Sequence, residues 1–135
     1  MSRRRFYFSL LAVYTVIVAI ATLVPRPGTA ATTLSLVPFR QIWHMVAAAR
    51  DRADVFVPVL GNVALFVPLG WLLPMTWPRL RSLRRIVVAG ASCSAAIEVC
   101  QLLFVSGRSP TIDDVIFNTL GAAIGGIMFF APRAA

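Results

Sequence analysis

Hydrophobic and polar positions separate along this chain into four long apolar blocks joined by short charged segments. The blocks run from Phe6 to Val24, Val55 to Pro74, Ile86 to Ser106 and Val115 to Ala131. Each approaches the roughly 20 residues a helix needs to cross a hydrocarbon core. None alternates as a half-buried strand does, and strands in lipid must close a barrel of at least about 8. The pattern therefore predicts an all-α integral membrane bundle of four transmembrane helices, forming a single domain over residues 1–135. Between the first two blocks, SLVPFRQIWHMVAAA (Ser35 to Ala49) sets Phe39, Ile42, Trp43 and Val46 at helical spacing. Trp43 suits a membrane–water boundary, so a short interfacial helix is expected there, with His44 facing water or headgroups.

Composition agrees with this pattern. Hydrophobic residues make up 59% of the chain and charged residues 13%, far from a soluble globular average. A net charge of +8 would suit a nucleic-acid partner, but the arginines sit at the ends of the apolar blocks, and no such partner is inferred. Arg3, Arg4 and Arg5 precede the first block, and Arg79, Arg81, Arg84 and Arg85 crowd the link between the second and third. The positive-inside rule then places both termini in the cytoplasm, with a multi-pass chain in the cell membrane. Arg26, Arg40, Arg50 and Arg52 run against that bias on the opposite side. A basic start followed by Ala19-Ile20-Ala21 resembles a signal peptide, but the apolar run is longer than the usual 7 to 15 or so residues and reads as a span.

Smaller features refine individual helices. Pro58 falls in the first turn of its predicted span, where a missing N–H costs little, whereas interior Pro68 leaves the Ala64 carbonyl without its usual donor. Trp71 and Trp77 bracket the other end of that span. Cys93 and Cys100 lie about 10 Å apart along one helix, too far for a disulfide, and read as small core residues. With one histidine and no Cys-x-x-Cys pair, neither a metal nor a cofactor is implied.

The candidate chemistry lies in polar residues inside the blocks. At 1.5 Å per residue, Asn62 lies about 10 Å below Val55, Glu98 about 12 Å below Ser106 and Asn118 about 5 Å below Val115, all in the outer half of the bilayer. Ser94, Glu98 and Gln101 share one helix face, and Asp114, Asn118, Gly121 and Gly125 form a narrow stripe on another. Gly90/Ser94 and Gly121/Gly125 have the small-xxx-small spacing that lets helices approach closely. Asn62, Glu98, Gln101 and Asn118 are thus expected to line an outward-facing polar pocket, with Arg108, Asp113 and Asp114 at its mouth. Blander readings compete: Asp113 and Asp114 suit a helix start, and Asn62 and Gln101 suit interhelical hydrogen bonding. Glu98 stands apart, because an ionisable carboxyl at this depth is costly unless neutral, paired or hydrated.

At these residues the chain resembles the VanZ-like family of small bacterial membrane proteins, named for a teicoplanin-resistance protein. The resemblance runs through LVPFR (Leu36 to Arg40), NVALFVPLGWLLP (Asn62 to Pro74), IEVCQ (Ile97 to Gln101) and GRSPTIDDVIFNTLGAAIG (Gly107 to Gly125), a region of about 34–131. It implies that the polar signature of the family falls on Asn62, Glu98, Gln101, Arg108, Asp113, Asp114 and Asn118. It implies no agreed catalytic mechanism. The leading expectation is a non-enzymatic protein, in contact with membrane lipids, that binds a lipid headgroup, a cell-wall precursor or a lipid-tailed glycopeptide. The alternatives are an enzyme acting on a lipid-linked substrate, with Glu98 or Asp114 as acid or base, and a small proton-coupled transporter. No catalytic residue is assigned, since serine, histidine and cysteine form no recognisable triad.

Overall fold

Each apolar block forms one helix, and every helix begins in polar sequence ahead of its apolar edge. The computed structural model describes residues 3–25, 34–105 and 109–131. Its helices are α1 (Arg3–Leu23), α2 (Arg40–Ala48), α3 (Ala53–Thr76), α4 (Leu83–Phe104) and α5 (Ile112–Phe130), with a short 3-10 turn at Pro78–Leu80. The short helix expected after the first span is α2. The spans start two or three residues before the apolar blocks do, because a helix ends where its backbone bonds are capped rather than where hydropathy falls. Ser82 and Thr111 set two of these boundaries. Both have extended backbones, and their hydroxyls accept the N–H of Arg85 at 3.3 Å and of Asp114 at 3.2 Å.

One expectation changes with the boundaries. Because α3 begins at Ala53, Pro58 lies in its second turn rather than its first, and Pro58, Pro68 and Pro74 are all interior. Such prolines survive in a spanning helix where neighbours supply polar groups. The Tyr14 hydroxyl of α1 donates to the Leu65 carbonyl, one residue beyond the carbonyl that Pro68 leaves without its donor.

The tightest seam joins α3 to α5. A Cβ on Gly121 would collide with the Val63 carbonyl oxygen, and one on Gly125 with that of Val67. The small-residue stripe read from the sequence therefore meets bare α3 backbone. At that distance Cα–H···O contacts and dispersion replace side-chain interdigitation. The packed core lies beside this seam, with Phe66, Leu69, Leu72 and Leu73 of α3 against Leu11 and Val18 of α1 and Ala122 of α5. Cys93, a free thiol, borders it.

The exterior is more apolar than a soluble protein could carry. Phe8, Val13, Ile17, Ile20, Phe56, Leu60, Leu103 and Phe104 are all exposed, and only 11–33% of the most apolar stretch of each long helix is buried within the protein. Hydrocarbon must cover the rest, so the four long helices make this a multi-pass membrane protein.

Candidate functional site at the acid-bearing end

All five carboxylates of the chain, Asp51, Asp54, Glu98, Asp113 and Asp114, lie toward the end of the bundle where α3 and α5 begin and α4 finishes. Asp54 acts locally: its Oδ2 accepts the N–H groups of Arg50 at 2.9 Å and Asp51 at 3.1 Å, tying down the approach to α3. The other three converge on the start of α5.

Thr111 is the hub. As the N-cap of α5 its hydroxyl accepts from Asp114, and it also donates to Gln41 Oε1 of α2 at 2.6 Å. Its backbone N–H donates to Glu98 Oε2 at 2.9 Å. In a capping box, the acid three residues after the cap reaches back to that N–H. Here Glu98 of α4 makes that bond, and Asp114 Oδ1 instead accepts a hydrogen bond from Asn62 Nδ2 on α3. Ser35 completes the arrangement by pairing with this strand-like start: its N–H donates to the Pro110 carbonyl at 3.1 Å and its carbonyl accepts from Ile112 at 3.0 Å.

Asp113 does something its position in sequence did not suggest. It was a candidate to cap its own helix, but Thr111 does that, and the Asp113 carboxylate caps α2. Its Oδ1 accepts the Phe39 N–H, and its Oδ2 accepts the Gln41 N–H at 3.1 Å. Phe39 precedes α2 with φ 62, a left-handed backbone that costs a residue other than glycine about 1–2 kcal/mol, and its side chain offers no cap. A buried carboxylate at the positive end of α2 offsets that cost and holds the helix down.

Deeper in the bundle the network continues on the faces read from the sequence. Ser94, Glu98 and Gln101 are all buried on α4. Asn118 Nδ2 donates to Ser94 Oγ at 2.8 Å, and Gln101 Nε2 donates to the Thr22 carbonyl of α1 at 2.8 Å. Among the described residues, Asn118 Oδ1 and Ser35 Oγ are buried with no hydrogen-bond partner. No three His, Cys, Asp or Glu side chains among them gather as a metal site requires.

The expected geometry of a pocket with an acidic mouth is thereby altered. Asp113 is only 2% exposed, because α2 lies over it. The gap among Asn62, Asp113 and Asp114 amounts to about 10 Å³, with Ile42 and Met45 of α2 at its edge. The roomier space lies alongside, a cavity of about 340 Å³ lined by Ser35, Arg40, Gln41, His44, Ser109 and Thr111. Asn62, Glu98, Asp113 and Asp114 meet around the start of α5, Asn118 lies beneath on Ser94, and Gln101 turns to α1. Arg108, expected at the mouth, lies outside the described residues. Sequence reasoning passed over Thr111, Gln41 and Ser35; for Thr111 the signal was present, a threonine three residues before an aspartate at the head of an apolar run.

Four membrane-length helices closed at one end by an interhelical polar network define a small polytopic membrane protein. The chain belongs to the VanZ/LLP1 family, whose model matches residues 9–132. No curated protein and no solved structure matches it.

Proposed function

We propose that this protein is a non-enzymatic receptor of the bacterial cell membrane, with both termini cytoplasmic, that binds an amphiphilic envelope ligand at its outward, acid-bearing end. The observation that carries the reading is the 340 Å³ cavity, where Arg40 and His44 stand beside Gln41, Ser35 and Thr111. Such a wall suits an anionic or hydrogen-bonding headgroup: Arg40 engages the anion, and Ser35 Oγ, buried without a partner among the described residues, offers a further hydrogen bond. Next to it Leu36, Val37, Phe39 and Trp43 are exposed, an apolar shelf suited to a lipid tail. Asn62, Glu98, Asp113 and Asp114 act behind the cavity, fixing Thr111 and α2 in place, while Asn118 ties α5 to α4 and Gln101 braces α1.

A lipid-tailed glycopeptide has both features, which favours a role in teicoplanin resistance within the class of envelope ligands. The test is teicoplanin and vancomycin susceptibility in a sensitive Gram-positive host that expresses the chain at matched membrane levels. Wild type is expected to protect against teicoplanin and much less against vancomycin, which has no lipid tail. Arg40→Gln is expected to lose that protection, and so is Glu98→Gln, which keeps an acceptor for the Thr111 N–H while removing the ionisable carboxyl. Absence of protection from well-expressed wild type defeats the glycopeptide reading.

A further inference from the structure

The opposite end of the bundle carries arginines in place of acids. Arg3, Arg4 and Arg5 open α1, and Arg79, Arg81, Arg84 and Arg85 lie in or beside the link from α3 to α4. The fold brings members of both groups, far apart in sequence, to one cavity of about 540 Å³. Arg3, Arg4 and Tyr7 of α1, Thr76 of α3, Arg81 of the link and Phe129 of α5 line it. We infer that this cavity is a binding site for a phosphate ester at the membrane edge, independent of the site at the acid-bearing end.

Three observations carry the inference. First, the cations have no acidic side chain at their end: every Asp and Glu of the sequence belongs to the other end, two of them deep in its network. Positive-inside topology explains why arginines collect on one side, but not why three from two distant segments border a common cavity. Second, Arg81 is pre-set. Its Nε donates to the Pro74 carbonyl at 3.2 Å, a group whose helical partner four residues on would be Pro78, which has no N–H. The planar guanidinium is thus oriented beside the cavity before any ligand arrives, which lowers the ordering cost of gripping a phosphate with its remaining N–H groups. Third, the walls are of two kinds. Phe129, Met75 and Pro78 line the same space as the arginines, and Phe8 and Trp77 pack edge-to-face at 6.4 Å near this end, an aromatic pair of the kind found at headgroup level. Arginines over an apolar wall at headgroup depth match the phosphate and glycerol of an anionic phospholipid, and also match a soluble phosphate ester.

The test uses the full chain purified in neutral detergent, with thermal stability followed as phosphatidylglycerol, phosphatidylcholine or glycerol phosphate is added. Phosphatidylglycerol is expected to raise the melting temperature saturably, and phosphatidylcholine is not. Arg81→Gln and, separately, Arg4→Gln are expected to weaken the apparent affinity on the order of tenfold. Arg4 guards against misfolding as the explanation, since no hydrogen bond to a described residue ties it down as Arg81 is tied. Arg5→Gln removes the same charge from the same end without touching the cavity, and is expected to bind as wild type does. An equal response to glycerol phosphate supports the site with a soluble ester as its ligand. Equal stabilisation by phosphatidylcholine, or equal loss in Arg5→Gln, overturns the inference in favour of a diffuse surface attraction.

Discussion

At the acid-bearing end, charge is answered from within the chain; at the arginine end no acidic side chain answers it. Asp113 takes two backbone N–H groups of the α2 entry, Asp114 takes the Asn62 amide and Glu98 takes the Thr111 N–H. Each of these acceptors sits on a different element from its donor. Among the described residues, the arginines there hold only carbonyls of their own neighbourhood, as Arg81 does at Pro74 and Arg85 does at Arg79. A buried carboxylate without donors is expensive, so the first arrangement must be complete before the protein is stable. Exposed guanidinium groups at headgroup level are solvated without a protein partner, and they stay available to ligands from outside. The difference teaches that the acids build a frame, whereas the arginines form a contact surface.

Both ends depend on the α3–α5 seam, and the largest expected effect lies there. Gly125→Leu would drive a side chain into the Val67 carbonyl and the Trp71 backbone, which cannot move aside as a flexible side chain can. The cost exceeds about 3 kcal/mol, the upper part of the range for overpacking, and the expected outcome is loss of monodisperse protein on size exclusion in detergent. Gly61→Leu is the matched control, because nothing lies within 4 Å of a Cβ built there. Equal behaviour of the two variants would mean that the seam is not close-packed and that the two ends are not held in register by it.

Next in size is the removal of the cross-helix cap. Asp113→Ala deletes two charge-assisted hydrogen bonds to the start of α2, and hydrogen bonds to charged groups are worth about 1.5–3 kcal/mol each. Partial rescue by water brings the expected loss to about 2–4 kcal/mol of stability. Hydrogen exchange should then accelerate through residues 40–48 while the amides of α4 stay protected. Asp113→Asn keeps one acceptor and should fall between. If α2 remains protected in Asp113→Ala, the carboxylate is not what holds it.

How much of this was legible in the sequence depends on the range of the interaction. Spans and the interfacial helix were readable because hydropathy and helical spacing are local. The faces of α4 and α5 were readable because 3.6 residues per turn fixes which side chains share a side: Ser94, Glu98 and Gln101 are buried together, and Gly121 and Gly125 meet α3. The partners were not readable. Asp113 bonds across more than seventy residues to Phe39 and Gln41, and no local rule separates capping α5 from capping α2. The arginine cavity was hidden for the same reason, since charge counts give the side of the membrane but not which arginines share a wall. Depth arithmetic placed the polar residues in one layer, but could not tell that α2 would lie over Asp113.

The smallest effect is the one that separates the two ends most cleanly. Arg84 is exposed at the start of α4, and it borders neither the Arg3–Arg81 cavity nor the acidic network. If the arginines are a contact surface rather than a frame, Arg84→Gln should change the melting temperature in lipid-free neutral detergent by no more than about 0.5 kcal/mol corresponds to, the usual scale of a surface substitution. The same substitution should leave the saturable response to phosphatidylglycerol unchanged, as Arg5→Gln does, while weakening the long-range adsorption to anionic vesicles at low salt, an effect that fades as ionic strength rises because an exposed charge is screened. Asp113→Ala should do the reverse, lowering stability at every salt concentration while leaving vesicle adsorption unchanged, since it is buried and acts through hydrogen bonds. A loss of stability in Arg84→Gln comparable to that in Asp113→Ala would put both ends under one rule, with arginines as structural as the acids.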